Sequence, residues 1–129
     1  MKKNKEESSL NSKAEIRLHD IWALNILYDQ DYQKSRTLKR RPILEIYVEE
    51  NRIIGNDGCN DIFGDFAKLN ATQMVFGPIG STKRACPDID ISHTFHKALQ
   101  ECQSYKLEGL ELNLFDKKGV RLMQFRKID

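Results

Sequence analysis

Residues 88–103, DIDISHTFHKALQECQ, break the two-residue rhythm of the rest of the chain. The apolar positions Ile91, Phe95, Ala98, Leu99 and Cys102 recur at helical spacing and form one face of an amphipathic helix. Asp88, Asp90 or Ser92 can cap its N-terminus, and Pro87 keeps the helix from starting much earlier. On both sides of this segment the pattern is that of strands. Ile43-Leu44-Glu45-Ile46-Tyr47-Val48 alternates, with Leu44, Ile46 and Val48 on one face. Glu49-Glu50-Asn51 turns the chain, and Arg52-Ile53-Ile54-Gly55 returns. Ile21–Leu24, Phe63–Ala67 and Met74–Phe76 read as further short strands. After the helix, Leu110, Leu112 and Leu114 alternate, and the chain returns through Asp116-Lys117-Lys118-Gly119 into a strand over 120–126.

A mostly antiparallel sheet with a single helix must curl around that helix or close on itself, because otherwise an apolar face and both edges stay exposed. The expected fold is therefore mainly β (α+β): a strongly curved antiparallel sheet, or small partly open β-barrel, with one packed α-helix. The 129 residues suit one domain. Residues 1–15 carry only Met1, Leu10 and Ala14 as apolar residues, too little to offset the entropy of ordering, so they read as a polar tether before a domain over 16–129. That tether lacks an apolar core and is not an intact secretory signal. With 21 Lys+Arg against 19 Asp+Glu the net charge is only +2, which argues against a nucleic-acid binder. No run approaches the roughly 18–20 apolar residues of a membrane-spanning helix.

The segment Gly55-Asn56-Asp57-Gly58-Cys59-Asn60-Asp61-Ile62-Phe63-Gly64-Asp65-Phe66 resembles the G-x-x-G-C-N-x-F-x-G-x-Y signature of the META domain, the family of the bacterial heat-shock protein HslJ. In this alignment Ile62 adds one residue before Phe63, and Phe66 takes the Tyr-like place. Thr82-Lys83-Arg84-Ala85-Cys86 is similar to the second element of the family, and Trp22-x-Leu24, Phe95-x-x-x-Leu99 and the closing hairpin follow in the family's order. The resemblance implies a compact barrel-like fold with no established reaction, on a protein of the bacterial cell envelope. It further implies a periplasmic or outer-membrane lipoprotein, tethered through an N-terminal lipid anchor removed from this sequence. The motif residues Gly55, Gly58, Cys59, Asn60, Phe63, Gly64, Thr82 and Cys86 are expected to be structural. Glycines allow tight bends, and Asn60 can satisfy turn amides.

Cys59 and Cys86 lie in the two family motifs. In an oxidising envelope they can form a disulfide, and two packed free thiols are the competing state. Cys102 reads as a small buried apolar residue. Cys86 with His93 and His96 does not have the paired-ligand spacing of a structural zinc site, and His96 is expected on the wet side of the helix. Asp57, Asp61 and Asp65 recur every four residues without the calcium-loop pattern, so they read as solvated turn acids. No nucleophile elbow, P-loop or dinucleotide fingerprint is present.

No cofactor or metal is therefore expected, and no enzyme activity. The leading expectation is a monomeric, stress-related module that binds an unidentified envelope protein. Lys34, Arg36, Lys39, Arg40 and Arg41 form a basic loop and are the candidate partner surface. A small apolar ligand or lipid held inside the barrel, and inhibition of a hydrolase, are the alternatives.

Overall fold

The computed structural model describes residues 14–33 and 38–128. Residues 1–13, most of the expected tether, and Lys34 and Arg36 of the basic loop lie outside the described residues. A short 3-10 turn at Ile16–Leu18 leads into β1, Ile21–Leu27, followed by the two-residue β2, Gln30–Asp31. The hairpin read from the alternation is β3, Ile43–Tyr47, and β4, Arg52–Asn56, with Leu44, Ile46 and Val48 all buried. Next come β5, Asp61–Leu69, and β6, Met74–Ser81, both longer than their apolar cores indicate. The helix α1 spans Ile89–Glu101. The chain ends in β7, Ser104–Glu108, β8, Glu111–Phe115, and β9, Arg121–Lys127.

These strands form one antiparallel sheet in the order β6-β5-β4-β3-β1-β9-β8-β7, with β2 attached to β1. The sheet curls through 227°, and its two outer strands meet at a single bridge, Gln73 to Ser104. The fold is thus the strongly curled antiparallel sheet with one helix that the pattern demands. The helix packs against the sheet beside β6, β1 and β9. Its apolar stripe of Ile91, Phe95, Ala98 and Leu99 enters a single cluster with Trp22, Leu24, Leu44, Ile53, Leu112, Leu114 and Phe125. Phe95 meets Phe125 edge to face, with ring centroids 6.1 Å apart. The Trp22 indole N–H donates to the Leu18 carbonyl at 2.9 Å, so the one polar atom of this large core residue is satisfied.

The last hairpins depart from the sequence reading. Leu110 is 50% exposed, while Leu112 and Leu114 are fully buried. Glu108 pairs with Glu111, which leaves Gly109 and Leu110 as a two-residue turn. The apolar alternation runs one residue past the end of the strand because a turn residue happens to match its period. Strand β7 is an additional edge strand in which Tyr105 alone is buried.

Candidate functional site

The connection from β4 to β5 is built around Asp57, which is 1% exposed. Its Oδ1 accepts the backbone N–H groups of Cys59 at 2.8 Å and Asn60 at 2.6 Å. Its Oδ2 lies 2.7 Å from His96 Nε2 on α1, and the Ser92 hydroxyl also donates to this carboxylate. Burial alone would raise the carboxyl pKa. The hydrogen bonds from Asn60, Ser92, Cys59 and His96 outweigh it and hold Asp57 below the usual carboxylate range. Two expectations are corrected here. Asp57 is a buried hub rather than a solvated turn acid, and His96 turns inward to meet it, with its side chain only 26% exposed. An uncompensated carboxylate would be costly in this position, and the four donors explain why it is tolerated.

Asn60 ties the same loop to the second motif. Its Oδ1 accepts the Thr82 hydroxyl at 2.8 Å and the Arg84 backbone N–H at 2.6 Å, and its Nδ2 donates to the Arg84 carbonyl at 3.2 Å. The side-chain amide thus pairs with the backbone of Arg84 as a neighbouring strand would. Alongside it, Cys59 and Cys86 are joined by a disulfide with an S–S distance of 2.01 Å. Cys102 is a separate, fully buried free thiol, pushed up to about 12 by burial.

The glycines explain the tightness of this corner. A Cβ on Gly55 would stand 2.0 Å from the Ile43 carbonyl oxygen of β3, an approach that no side chain permits. Gly58 has φ +98°, where other L-residues are strained. Gly64 backs onto the Pro78 carbonyl of β6. Phe63 departs from the sequence reading: its side chain is 54% exposed and its ring lies over Gly80, whereas Ile62 is 1% exposed in the core. With Ile62 as the apolar residue of the motif, Gly64 and Phe66 fall into register and no inserted residue is required.

Of the described residues of the basic loop, Arg40 and Arg41 have their guanidinium groups engaged within the chain. Arg40 pairs with Asp61 at 2.6 Å and donates to the Cys59 carbonyl at 3.3 Å. Arg41 donates to the Tyr32 and Gln33 carbonyls. The backbone N–H of Lys39 donates to Asp88. Arg40 thus braces the corner and Arg41 ties the loop to the chain after β2, while the Lys39 residue is exposed.

Beside the clasp lies an open cleft of about 380 Å³. Ile79 and Ser81 of β6 form one wall, His93 and His96 of α1 the other, and Lys83 and Arg84 close one end. Ser92, His96 and Asp57 have the composition of a catalytic triad without its connectivity. The serine hydroxyl donates to the aspartate, whereas a triad requires it to face the imidazole. Among the described residues no group of three or more His, Cys, Asp or Glu is arranged to hold a metal ion.

The META domain profile matches residues 17–129, nearly the whole described chain. The chain belongs to the META domain family. Solved structures extend the likeness at the level of fold. An NMR structure of a protein from Burkholderia xenovorans is 19% identical, with a TM-score of 0.62 over 87% of this chain and 85% of that one. A DUF4847 family protein from Bacteroides vulgatus is 13% identical, with a TM-score of 0.67 over 88% of this chain and 97% of that one. A second NMR structure is 18% identical, with a TM-score of 0.64 over 85% and 90% of the two chains. No curated protein matches the sequence. In this META domain the two family motifs meet at one corner, joined by Asn60 and the disulfide, and Asp57 fastens that corner to the helix.

Proposed function

We propose that this META domain is a non-enzymatic protein-binding module of the bacterial cell envelope. It would be exported, lipid-anchored through its polar N-terminal segment, and used under envelope stress. The observation that carries the reading is the engagement of the motif residues with one another. Asp57, Asn60, Thr82, Ser92 and His96 are joined by hydrogen bonds that lock loops to helix, and Cys59 is bonded to Cys86. Chemistry that requires a nucleophile with its own base finds both partners committed elsewhere. The disulfide supports an oxidising compartment, because such bonds persist outside the cytosol. Among the described residues no helix is long and apolar enough to cross a membrane.

The alternative of an apolar ligand inside the barrel has less support. The inward side chains Leu24, Leu44, Ile53, Phe95, Leu112 and Phe125 are fully buried in one packed cluster. The described cleft is on the outside, with Lys83 and Arg84 at one end.

Differential alkylation of the protein in intact cells, followed by mass spectrometry, tests the compartment. Cys59 and Cys86 should resist maleimide until a reductant is added. Cys102 should react only after unfolding, since its thiolate is disfavoured at neutral pH by burial. Free Cys59 and Cys86 in untreated cells would remove the envelope reading. A hydrolytic activity that disappears in His96→Ala while the fold persists would remove the non-enzymatic one.

A further inference from the structure

We propose that the free edge of β6 at Ile79 and Ser81 takes up an extended acidic peptide segment of a protein partner as an added β-strand, lodged in the cleft beside α1. This rests on the protein-binding reading above and gives it a surface and a chemistry.

The register shows which backbone groups are free. The Thr82 backbone N–H donates to the Asp61 carbonyl, so these two residues form a hydrogen-bonded pair between β6 and β5. Such pairs alternate along an antiparallel ladder. Phe63 with Gly80 is therefore also bonded, while Ile62 with Ser81 and Gly64 with Ile79 are the non-bonded positions. The other side of β5 agrees. The Asp57 backbone N–H donates to the Asn60 carbonyl, which puts Ile62 in a bonded pair with Gly55 of β4, turned away from Ser81. The N–H and C=O groups of Ile79 and Ser81 thus point outward from the sheet. Strand β7, which would cover them in a closed barrel, meets the chain at the other end of β6, where Gln73 bridges Ser104, the Met74 N–H donates to the Gln103 carbonyl and the Tyr105 N–H to the Thr72 carbonyl.

An open edge is normally blunted in native folds. The same alternation turns the Pro78 backbone toward β5, where the ladder shifts register between Gly64 and Phe66, so its missing N–H does not cap the outer edge. Beyond Pro78 the two free residues, Ile79 and Ser81, are the same two that wall the cleft. A groove between an edge strand and a helix suits strand addition: backbone bonds hold the peptide while alternate side chains face the groove. One peptide residue opposite Ile79 and another opposite Ser81 would each exchange two hydrogen bonds. Those positions are two residues apart, about 7 Å along the strand.

The charge of the groove selects the peptide. Lys83 at its end has no ion-pair partner among the described residues, and Arg84 reaches Asp61 only at 3.8 Å. The one carboxylate in the wall, Asp57, is fully committed to its four donors. An acidic side chain or a terminal carboxylate on the incoming strand would meet Lys83 and gain a charge-assisted bond.

Selection from a displayed random heptapeptide library against the full chain, followed by titration of a selected peptide into 15N-labelled protein, tests this. Selected peptides should be enriched in Asp and Glu. On titration the Ile79 and Ser81 amides should shift and become protected from exchange. N-methylation of the peptide amides that pair with β6 should abolish binding. Lys83→Glu, an exposed change outside the clasp, should weaken an acidic peptide by roughly tenfold. No selected binder, shifts confined to another face, or unchanged affinity after N-methylation would overturn the proposal. Site-specific photo-crosslinking in cells separates the two readings. A specific partner crosslinked at Leu110 or Val120 and not at Ile79 would leave the protein-binding reading in place and remove this one. No partner from any surface position would remove both.

Discussion

The helix is attached to the sheet at two places by unlike chemistry. Along one face Phe95, Ala98 and Leu99 sink into the core, where Phe95 meets Phe125. Along the other, Ser92 and His96 reach Asp57 in the motif corner. The apolar attachment is indifferent to pH and tolerant of direction, since burial depends on area and fit. The polar attachment is directional and depends on one buried charge. The first brings α1 to the sheet, whereas the second determines where the β4–β5 corner lies relative to it. That division leaves the corner as the place where acid should act.

Removing the core contact should have the largest effect. Phe95→Ala empties a fully buried site and should destabilise the domain by about 3–5 kcal/mol, read as the shift in the urea midpoint. A loss under about 1 kcal/mol would show that the corner, and not the core, holds the helix. Next in size is the disulfide. Cys59 and Cys86 are 27 residues apart, and opening a loop of that length should cost roughly 3.5 kcal/mol in the chain-entropy picture. Cys59→Ala/Cys86→Ala should therefore melt earlier than the parent, whereas reductant should not lower the melting temperature of the variant further.

The two attachments differ equally in how far the sequence reveals them. The stripe of Phe95, Ala98 and Leu99 is legible because burial against a sheet imposes a period on the helix itself. The β3–β4 hairpin is legible for the same reason, with a period of two. The polar attachment has no period. Asp57 with Asn60 three residues on carries the local signature of a side-chain-bonded turn, which the amides of Cys59 and Asn60 complete. What that signature omits is burial, which comes from Ser92 and from His96, 39 residues away. A helical wheel assigns both to the polar side because it scores them by type. Strand β7 is obscure because a single buried residue, Tyr105, cannot set up a visible alternation, and its hydroxyl is satisfied by the Asn70 carbonyl across the seam.

Acid should separate the attachments. Asp57 is held below its unfolded pKa of about 3.9, so its contribution is complete above that pH and is lost as the pH falls through the folded value. Asp57→Asn should cost about 1–3 kcal/mol at pH 7, since it weakens a buried acceptor with four donors. Below the folded pKa the parent loses the same charge, so the two stability curves should converge as the pH is lowered. Phe95→Ala should instead run parallel to the parent over the same range. Curves for Asp57→Asn and the parent that stay equally separated down to pH 2 would mean that the carboxylate contributes nothing through its charge.

The smallest effect expected is that of His96 alone. Its ring is partly open to solvent, and Asp57 keeps three other donors when the imidazole is removed. His96→Ala should therefore cost only about 1 kcal/mol, the net worth of one hydrogen bond. The more informative quantity is its coupling to the aspartate. If the bond is the link between corner and helix, the Asp57→Asn/His96→Ala double variant should be less destabilised than the sum of its parts, by about 0.5–1.5 kcal/mol. Pairing Phe95→Ala with His96→Ala should give a smaller coupling, because the side chains lie on different faces of α1 and share no partner. Equal couplings would mean that the helix moves as one body when either attachment is cut, and that the corner has no independent hold on it.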